Sequence, residues 1–404
     1  MNNQKKTLKK QNAPKSKEKN TNTVKLIDKD KKGKSFLTSF GKTVVICLSV
    51  ILALVIALII SVNSLISYYY NLMNYTDISK ETVMGDDEIS DYLAELEGTG
   101  DVTGEENNEE MSEQLGGAIG EMENTKETIS GIKNILLLGV DNAGKNSTGN
   151  ATYDHNMNTD SMILLTINEK TKKIVLTSLM RDSYVEIIRA NGSKINGRLN
   201  TAYIYGGYSG MFNTIEHNFG IKVDSFVSVD FSSFMDIVNI IGGVDMYVTR
   251  AEAIEMNYAI DLANELIGDK RGTDRIKITS DATLHLNGKQ ALAYARIRHN
   301  TGNDFGRTER QRKLIMEIAN KARDLNVSQL NELLTTALKK VSTNLKQSEV
   351  TSLMANAVSY LGYEIVPFRI PMDETYRNVA INGASVLMVD FVKNYKTWKT
   401  IVTE

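Results

Sequence analysis

The sequence contains very little cysteine and histidine, and each shortage excludes a class of site. Cys47 is the one cysteine among 404 residues, so no intramolecular disulfide can form and the core must stabilise the fold. One cysteine and four histidines disfavour a Cys/His metal site, so any bound metal should be a hard cation on carboxylates. The chain also lacks a Walker-type glycine loop and a nucleophile-elbow pattern. Nucleotide triphosphate use and a serine triad therefore have no support.

Charge is distributed unevenly along the chain, although the formal net charge is only −2. Most lysines of the first forty residues have no acidic neighbour, whereas residues 77–127 are rich in Asp and Glu. The total charge therefore says nothing about partners, and each region has to be interpreted by itself.

An uncharged apolar run at residues 43–62 follows the lysine-rich tail. Its length matches the roughly 20 residues that cross about 30 Å of hydrocarbon, with a buried core helix as the alternative. A cleaved signal peptide would be shorter, and the three tyrosines that begin at Tyr68 are typical of a membrane interface. We predict a tail at 1–42 and a single transmembrane helix at 43–66. The positive-inside rule places the tail in the cytoplasm and everything after residue 70 outside the cell.

The next segment lacks the composition of a folded domain. Residues 71–130 contain no proline, few aromatic residues and several acidic runs, so they cannot bury enough apolar surface to offset their ordering entropy. We predict an acidic flexible extracellular linker at residues 67–131, with short patches of helix, that extends by self-repulsion and lifts the domain away from the membrane.

Globular patterning begins at residue 132 and continues to the end of the chain. Apolar runs predict buried strands at residues 134–141, 160–168 and 173–180. A helix at 231–241 is followed by two glycines, the usual signal for a helix end. Because strands and helices mix throughout, we predict one α/β (α+β) domain at 132–404, with a central mixed β-sheet flanked by helices.

Two carboxylates lie at the ends of predicted strands. Asp141 ends the first strand and Asp160 begins the second. If these ends meet at one edge of the sheet, the two side chains could share Mg²⁺, which proteins often bind through one or two carboxylates plus substrate phosphates. The alternative is that both are turn or cap residues.

Arginines are concentrated at one strand end and in one loop. Arg181-Asp182 follows the third strand and could form a local ion pair. Five further arginines lie within residues 296–312, which run from a helix end through a glycine-containing loop into the next helix. A helix N-terminus attracts anions, and the guanidinium fork matches phosphate oxygens. The pattern therefore favours a site for a di- or polyphosphate.

Not every arginine of this loop is expected to bind a ligand. Arg312 could pair with Glu309 one helical turn back, and Arg310 could face water. The remaining arginines, together with two candidate metal carboxylates, describe a phosphate site better than a general salt-bridge surface.

Several short motifs follow one another in a recognisable order. They are NILLLGVD, TDSMILLTIN, LMRD, LNTAYIYGG, VSVDFSSF, IIGGVDMYV, LNGKQALAYARIRH and DFGRTERQ. In this order they resemble the LytR-CpsA-Psr family over about residues 132–392, and the short tail and single helix fit the family's usual layout. Each motif alone would be weak evidence, but their succession is specific.

The resemblance implies a Mg²⁺-dependent extracytoplasmic phosphotransferase. Such enzymes move a glycopolymer (teichoic acid, capsule polysaccharide or similar) from a polyprenyl-pyrophosphate carrier onto peptidoglycan through a phosphodiester bond. Asp141 and Asp160 match the family's magnesium ligands. The family's pyrophosphate-binding residues match Arg181, Arg296, Arg298, Arg307 and Gln311. Arg181 and Asp182 are then the candidate catalytic residues, with Asp182 either structural or basic.

The resemblance also implies an apolar tunnel for the prenyl chain. Residues of the strands and of the 231–241 helix are candidates to line it, although an ordinary core would have the same sequence pattern. Two departures from the family bear on substrate geometry. Asn158-Thr159 precede Asp160 where the family commonly has an arginine, and residues 142–157 form a long polar stretch.

Three other functions are compatible with the sequence. A polyprenyl-pyrophosphate hydrolase would use water in place of the sugar acceptor, and a lipid-binding scaffold would have no turnover. A membrane-bound regulator (transcriptional attenuator) would need the lysine tail to contact DNA. Only about forty residues, without a helix-turn-helix pattern, remain inside the cell in the predicted topology, so no nucleic-acid partner is expected.

Overall fold

The computed structural model describes residues 52–57, 60–81, 83, 85, 89, 109–140, 159–298, 301–381 and 384–404. The chain divides into two compact units between Val62 and Asn63. The second unit contains the whole globular fold, and the contacts described below lie within it.

Helix α1 (Leu52–Tyr70) is, among the described residues, the one helix that is long and apolar enough to cross a membrane. Apolar side chains such as Leu52, Leu54 and Ile60 are exposed along it. The predicted span starts at residue 43, and the residues before Leu52 lie outside the described part of the chain. The helix is therefore compatible with the predicted membrane anchor over the part that is described.

Strands and helices are mixed along the chain after α1. In chain order the elements are β1 (Asn74–Tyr75), α2 (Glu109–Thr125), β2 (Ile132–Val140), β3 (Thr159–Asn168), β4 (Lys173–Leu179), β5 (Tyr184–Ile188), β6 (Lys194–Arg198), α3 (Ala202–Phe219), β7 (Ser225–Asp230), α4 (Phe231–Ile240), β8 (Val244–Val248), α5 (Arg250–Ile267), β9 (Ala282–Leu286), α6 (Gly288–Arg296), α7 (Asn303–Arg323), α8 (Val327–Ala337), β10 (Val341–Thr343), α9 (Gln347–Tyr360), β11 (Glu364–Ile370), β12 (Tyr376–Ile381), β13 (Ala384–Val389) and α10 (Phe391–Thr403). Single turns of 3-10 helix lie at Ile78–Lys80, Leu199–Thr201 and Leu338–Lys340.

A seven-stranded mixed sheet in the order β1-β10-β7-β2-β3-β4-β11 forms the centre of the fold. β2 lies antiparallel to β3 and parallel to β7, so Val140 pairs with both Thr159 and Asp230. β4 is antiparallel to β3 and therefore ends, at Leu179, on the same side. We call the edge formed by these four residues the upper edge. The prediction of a central mixed sheet flanked by helices is confirmed.

One face of the sheet is packed tightly. Successive strand residues point to opposite faces, and on this face β2 buries Leu136 and Leu138 completely. Helices α2, α3 and α10 cover them, with α10 contributing Tyr395 and Trp398 to the same cluster. We call this the packed face.

The opposite face is filled less completely, and we call it the open face. On this face Leu137, Leu165, Val227 and Val229 are only half-buried, although they lie in central strands, whereas Ile135 and Ile163 are buried. Helices α4 to α7 and the β8–β9 hairpin form a second buried cluster, which among the described residues includes none from the seven-stranded sheet. Apolar sheet surface therefore remains accessible between the sheet and these helices.

Part of the predicted linker belongs to the globular domain. Helix α2 buries Met111, Leu115, Ile119 and Met122 in the core of the packed face, and β1 pairs with β10 at the edge of the sheet. The prediction of a flexible spacer is therefore wrong for these elements. Composition concealed α2 because its apolar residues, about one per turn, are spaced among acidic residues and glycines. Residues 90–108 lie outside the described part of the chain.

Candidate functional site

The turn after β4 carries Arg181 and Asp182 and is fixed by neighbouring elements. The amide of Asn200 donates to the carbonyl of Arg181 (3.2 Å), and the amide of Leu387 donates to the carbonyl of Asp182 (2.8 Å). The turn follows directly from the end of β4. Both side chains are therefore held at the upper edge by the backbone of two other segments.

Asp304, in the first turn of α7, lies at the centre of a group of arginines. Its Oδ1 is 3.0 Å from Nη2 of Arg307, 3.4 Å from Nε of Arg298 and 3.9 Å from Nε of Arg181. The three arginines come from α7 itself, from the loop before it and from the turn after β4. The fold thus brings together three of the five predicted pyrophosphate-binding residues around one carboxylate.

Asp182 extends this group. Its Oδ2 lies 3.6 Å from Nε of Arg181, and its Oδ1 lies 3.5 Å from Nη1 of Arg198, the last residue of β6. The six side chains form what we call the arginine cluster: Arg181, Asp182, Arg198, Arg298, Asp304 and Arg307. Four guanidinium groups against two carboxyl groups leave the cluster net positive. Such a cluster suits a ligand with several negatively charged oxygens.

The two carboxyl groups of the cluster have opposite pKa shifts. Burial raises the pKa of Asp182, and the charge of Asp304 adds to this, whereas Arg181, Arg198 and Arg307 oppose it. Burial also acts to raise the pKa of Asp304, but Arg307, Arg181 and Arg298, with a hydrogen bond from Asp182, outweigh it and lower that pKa. Asp304 is therefore the ionised member of the pair, and Asp182 is the member with higher proton affinity.

Arg310 fixes the loop between α6 and α7. Its guanidinium donates to three carbonyl oxygens, those of Tyr294 (3.2 Å), Thr301 (2.7 Å) and Ile297 (2.5 Å). Its Nη1 also lies 3.3 Å from Oε1 of Glu252 in α5. Because Arg298 belongs to the same loop, Arg310 positions one guanidinium group of the arginine cluster.

Two arginines that were expected on a solvated face are buried. Arg310 makes the contacts just described, and Arg312 donates from Nη1 to Oγ of Ser178 in β4 (2.6 Å). Glu309 pairs with Lys313 (2.6 Å) instead of Arg312. Both predictions are wrong because α7 packs against β4 and α6 and has less solvated surface than its composition suggests.

The other two predicted phosphate ligands lie beside the cluster. The guanidinium carbon of Arg296 is 4.3 Å from the ring centre of Phe231, a cation–π contact at the start of α4. Gln311 accepts a hydrogen bond from Oγ of Ser161 in β3 (3.1 Å). Gln311 therefore connects α7 to the upper edge.

The predicted metal ligands are only partly described. Asp160 lies in β3 where the register with β2 shifts, but its side chain and the whole of Asp141 lie outside the described residues. Within the described part of the chain, no group of three or more His, Cys, Asp or Glu could hold a metal ion. Asp230, also at the upper edge, is engaged as the N-cap of α4, where its Oδ1 accepts from the amide of Ser233 (2.7 Å).

Two members of the arginine cluster were not assigned from the sequence. Asp304 had a usable signal, since it precedes Arg307 by three residues and so shares its helical face. Arg198 had none, because its approach to Asp182 depends on the β5–β6 hairpin, which the sequence analysis did not predict.

Comparison with known proteins supplies a family. The LytR_cpsA_psr family model matches residues 97–402. The polyisoprenyl-teichoic acid–peptidoglycan teichoic acid transferase TagU of Enterococcus faecalis is 33% identical over 241 residues, which are 59% of this chain and 69% of that protein. Biofilm regulatory protein A of Streptococcus mutans is 32% identical over 54% of this chain and 51% of its own length, so the match spans about half of that relative.

A solved structure agrees with this result. Protein gbs0355 from Streptococcus agalactiae has a TM-score of 0.54 at 26% identity, with 70% of this chain and 90% of that chain covered. The family model covers most of the chain, including every residue of the arginine cluster. The chain belongs to the LytR-CpsA-Psr family.

Proposed function

We propose that this protein is a phosphotransferase that moves a glycopolymer from a polyprenyl-pyrophosphate carrier onto peptidoglycan through a phosphodiester bond. The observation that carries the proposal is the arginine cluster at the upper edge, next to the open face. A polyprenyl pyrophosphate has the two matching parts, a multiply charged head and a long apolar tail. The Enterococcus faecalis relative is named for a reaction between polyisoprenyl-teichoic acid and peptidoglycan.

The open face suits the apolar tail. Leu137, Leu165, Val227 and Val229 offer half-buried apolar surface there. Ser161, which binds Gln311, lies opposite Gly139 and therefore on this same face, at its upper end. A tail on these residues would gain about 25 cal/mol for each Å² of apolar surface removed from water, while the head reaches the arginines.

The residues of the cluster act by position and by charge in the proposed reaction. Arg181, Arg298 and Arg307 neutralise the pyrophosphate and the charge that develops during transfer. A sugar hydroxyl of the acceptor attacks the phosphorus next to the glycan, the new P–O bond forms, and polyprenyl phosphate leaves. Asp182, whose pKa is raised, is the carboxyl group with the higher proton affinity, and in its ionised form it is suited to take the hydroxyl proton.

Mg²⁺ belongs to the proposal, with Asp141 and Asp160 as its ligands. Val140, the residue before Asp141, pairs with Thr159, the residue before Asp160, so the backbone is compatible with two carboxylates at one edge. Two carboxylates fit Mg²⁺, which keeps waters and substrate phosphates as further ligands. The ion would supply additional neutralisation of phosphate charge. Removal of Mg²⁺ with a chelator should abolish transfer, and added Mg²⁺ should restore it.

The proposed location is the cell membrane, with the N-terminus in the cytoplasm and the catalytic domain outside. Helix α1 supports an anchor, and the lysines before it support this orientation. Protease added to intact cells should degrade the domain after residue 70. Complete protection of the domain would indicate the opposite orientation, with the domain in the cytoplasm, and would favour an intracellular regulator.

The reaction can be tested with the full chain in detergent micelles, a polyprenyl-pyrophosphate-linked saccharide, a peptidoglycan oligomer and Mg²⁺. Mass spectrometry should detect the phosphodiester-linked conjugate with the unmodified protein and not with Arg181→Ala or Asp160→Ala. Lys313→Ala, an exposed position on α7, is the matched control and should retain transfer.

Other products would identify the alternatives. Free glycan phosphate without a conjugate, when a range of acceptors is supplied, would identify a hydrolase. Lipid binding without any Mg²⁺-dependent product would identify a scaffold.

A further inference from the structure

The residues that leave the apolar span are bound to α8 and β10. We call residues 63–75 the exit segment. The hydroxyl of Tyr69 donates to Oδ1 of Asn331 in α8 (2.7 Å), and Nδ2 of Asn74 donates to the carbonyl of Lys339 (3.1 Å). Asn74 also pairs with Ser342 in the parallel β1–β10 ladder. Three successive contacts thus join the exit segment to one continuous stretch of chain.

These contacts determine the direction of α8. Tyr69 contacts Asn331 in α8, and Asn74 contacts Lys339 and Ser342 further along the chain, so the exit segment and the stretch from Asn331 to Ser342 run in the same direction. The N-terminus of α8 therefore points back toward the start of the exit segment. Val327 lies four residues before Asn331, about 6 Å along the helix axis. The same distance separates Leu65 from Tyr69 in α1.

The N-terminal end of α8 exposes apolar side chains at this level. Val327 is 85% exposed and Leu330 is 42% exposed. Leu65 and Tyr68 of the exit segment are exposed as well. No residue of α8 is fully buried. Val327 and Leu330 precede Asn331, the residue that Tyr69 contacts, so the apolar surface they offer belongs to the part of α8 that is joined to the exit segment.

We propose that Val327 and Leu330, at the N-terminal end of α8, insert into the outer interface of the lipid bilayer beside the exit segment. This inference rests on the membrane anchorage in the proposed function. The bilayer is the occupant because the apolar surface is held by Tyr69 to the segment that follows the span. An amphipathic helix end that buries its apolar face at the headgroup boundary is a common mode of membrane contact.

The same topology orients the arginine cluster. β10 runs from Val341, opposite Val229, to Thr343, opposite Val227, so it runs away from the upper edge. β1 is parallel to β10, and the exit segment therefore reaches the sheet at the upper edge. With α8 inserted, the upper edge faces the lipid surface, where the headgroup of a lipid-borne pyrophosphate is located.

Fluorescence quenching tests the insertion without any need for activity. The full chain with Val327→Trp is reconstituted in bilayer nanodiscs that contain brominated phosphatidylcholine. The native Trp398 is buried in the core of the packed face and gives a constant background. Val358→Trp is the matched control. Val358 is 82% exposed in α9, near Tyr360, whose hydroxyl donates to Glu169 at the opposite edge of the sheet.

Brominated lipid should quench the tryptophan at position 327 about twofold and leave the one at 358 unchanged. Equal quenching at both positions, or none at 327, overturns the proposal. A blue-shifted emission at 327 without quenching would identify a protein occupant and would overturn it too.

A second variant separates insertion from the proposed reaction. Val327→Asp should lower transfer from a long-chain donor embedded in nanodiscs about fivefold. It should leave transfer from a short-chain donor in detergent unchanged. An equal loss with both donors contradicts the proposal. If the unmodified protein shows no transfer at all, the proposed reaction fails, and the quenching result still decides whether α8 inserts.

Discussion

Leu136 and Leu137 are neighbours in β2 with opposite surroundings. Leu136 is fully buried on the packed face, whereas Leu137 is half-buried on the open face. Leu164 and Leu165 repeat the contrast in β3. Two leucines in the same strand therefore contribute differently to stability, because one completes a core and the other borders accessible space.

The contrast indicates how this fold divides stability from function. Protein interiors are normally packed as densely as organic crystals, so a central strand with accessible apolar side chains gives up contacts that a core would make. Helices α2, α3 and α10 concentrate those contacts on the packed face. The open face can then remain incompletely filled, with the arginine cluster at its upper end.

The largest effect is expected where the open face meets the cluster. Arg307→Ala removes the guanidinium closest to Asp304 and should lower the transfer rate about 10²- to 10³-fold. This is the usual cost of removing a hydrogen-bond donor that stabilises charge developing in the transition state. Single-turnover assays of conjugate formation measure it. Lys313→Ala, exposed on the same helix, should keep the original rate. If Arg307→Ala retained about half of the activity, the cluster would not be the reaction site.

Leu136→Ala and Leu137→Ala compare the two faces directly. Leu136→Ala should lower the free energy of unfolding by about 2–5 kcal/mol, because it leaves a cavity in a closed core. Leu137→Ala should cost about 1 kcal/mol, because its side chain already borders accessible space. Leu137→Ala should instead raise the KM for the lipid donor. Chemical denaturation followed by Trp398 fluorescence measures the free energy of unfolding, and initial rates measure the KM. Equal unfolding costs would contradict the contrast between the faces.

The strands of the sheet could be predicted, but the different use of their faces could not. β2, β3 and β4 are apolar runs of strand length, and their prediction needed no tertiary information. Whether Leu136 or Leu137 is covered depends on which helices lie on each side, and that is decided by contacts far apart in sequence. Helix α10 did carry a signal, because Phe391, Tyr395 and Trp398 follow helical spacing, and it was not predicted.

The candidate site was predictable to a similar extent. The motifs identified Arg181, Arg298 and Arg307, and the fold brings these three together. The motifs separated Arg307, a matched ligand, from Arg310, three residues later, but they could not show what Arg310 contacts, because that depends on how α7 is rotated against α6. Arg307 contacts the carboxylate of Asp304, whereas Arg310 donates to backbone carbonyl oxygens. Composition and spacing do not reveal this difference.

Arg310 offers a way to separate positioning from binding. Arg310→Met removes the hydrogen bonds to three carbonyl oxygens and the ion pair with Glu252, which should lower the free energy of unfolding by about 1–3 kcal/mol. The transfer rate should fall mainly through kcat, because Arg298 would lose its position while the lipid-linked substrate still binds the other arginines. Arg310→Lys should recover part of both losses. If the lysine variant restores stability but no activity, Arg310 contacts the ligand itself.

The smallest effect on stability is expected at Glu81, which follows the exit segment and contacts α3. Its Oε2 accepts from the amide of Tyr208 (2.9 Å), where α3 is interrupted at Gly207 with φ of 61°. A Cβ at position 207 would lie 2.6 Å from this carboxyl group, so the glycine is required both for the backbone angle and for the contact. Burial raises the pKa of Glu81 from 4.5 to about 7.

The sign of the pH dependence follows from this shift. A folded pKa above the unfolded value means that the stability contributed by protonated Glu81 is fully present below about pH 4.5 and is lost as the pH rises through about 7. Glu81→Gln keeps an oxygen acceptor for Tyr208 but cannot ionise. Thermal unfolding of the full chain should show the unmodified protein losing stability relative to Glu81→Gln between about pH 5 and pH 8. Glu113→Gln, exposed in α2, should follow the unmodified protein at every pH. Parallel curves for all three proteins would mean that Glu81 titrates in water, and that its link to α3 opens in solution.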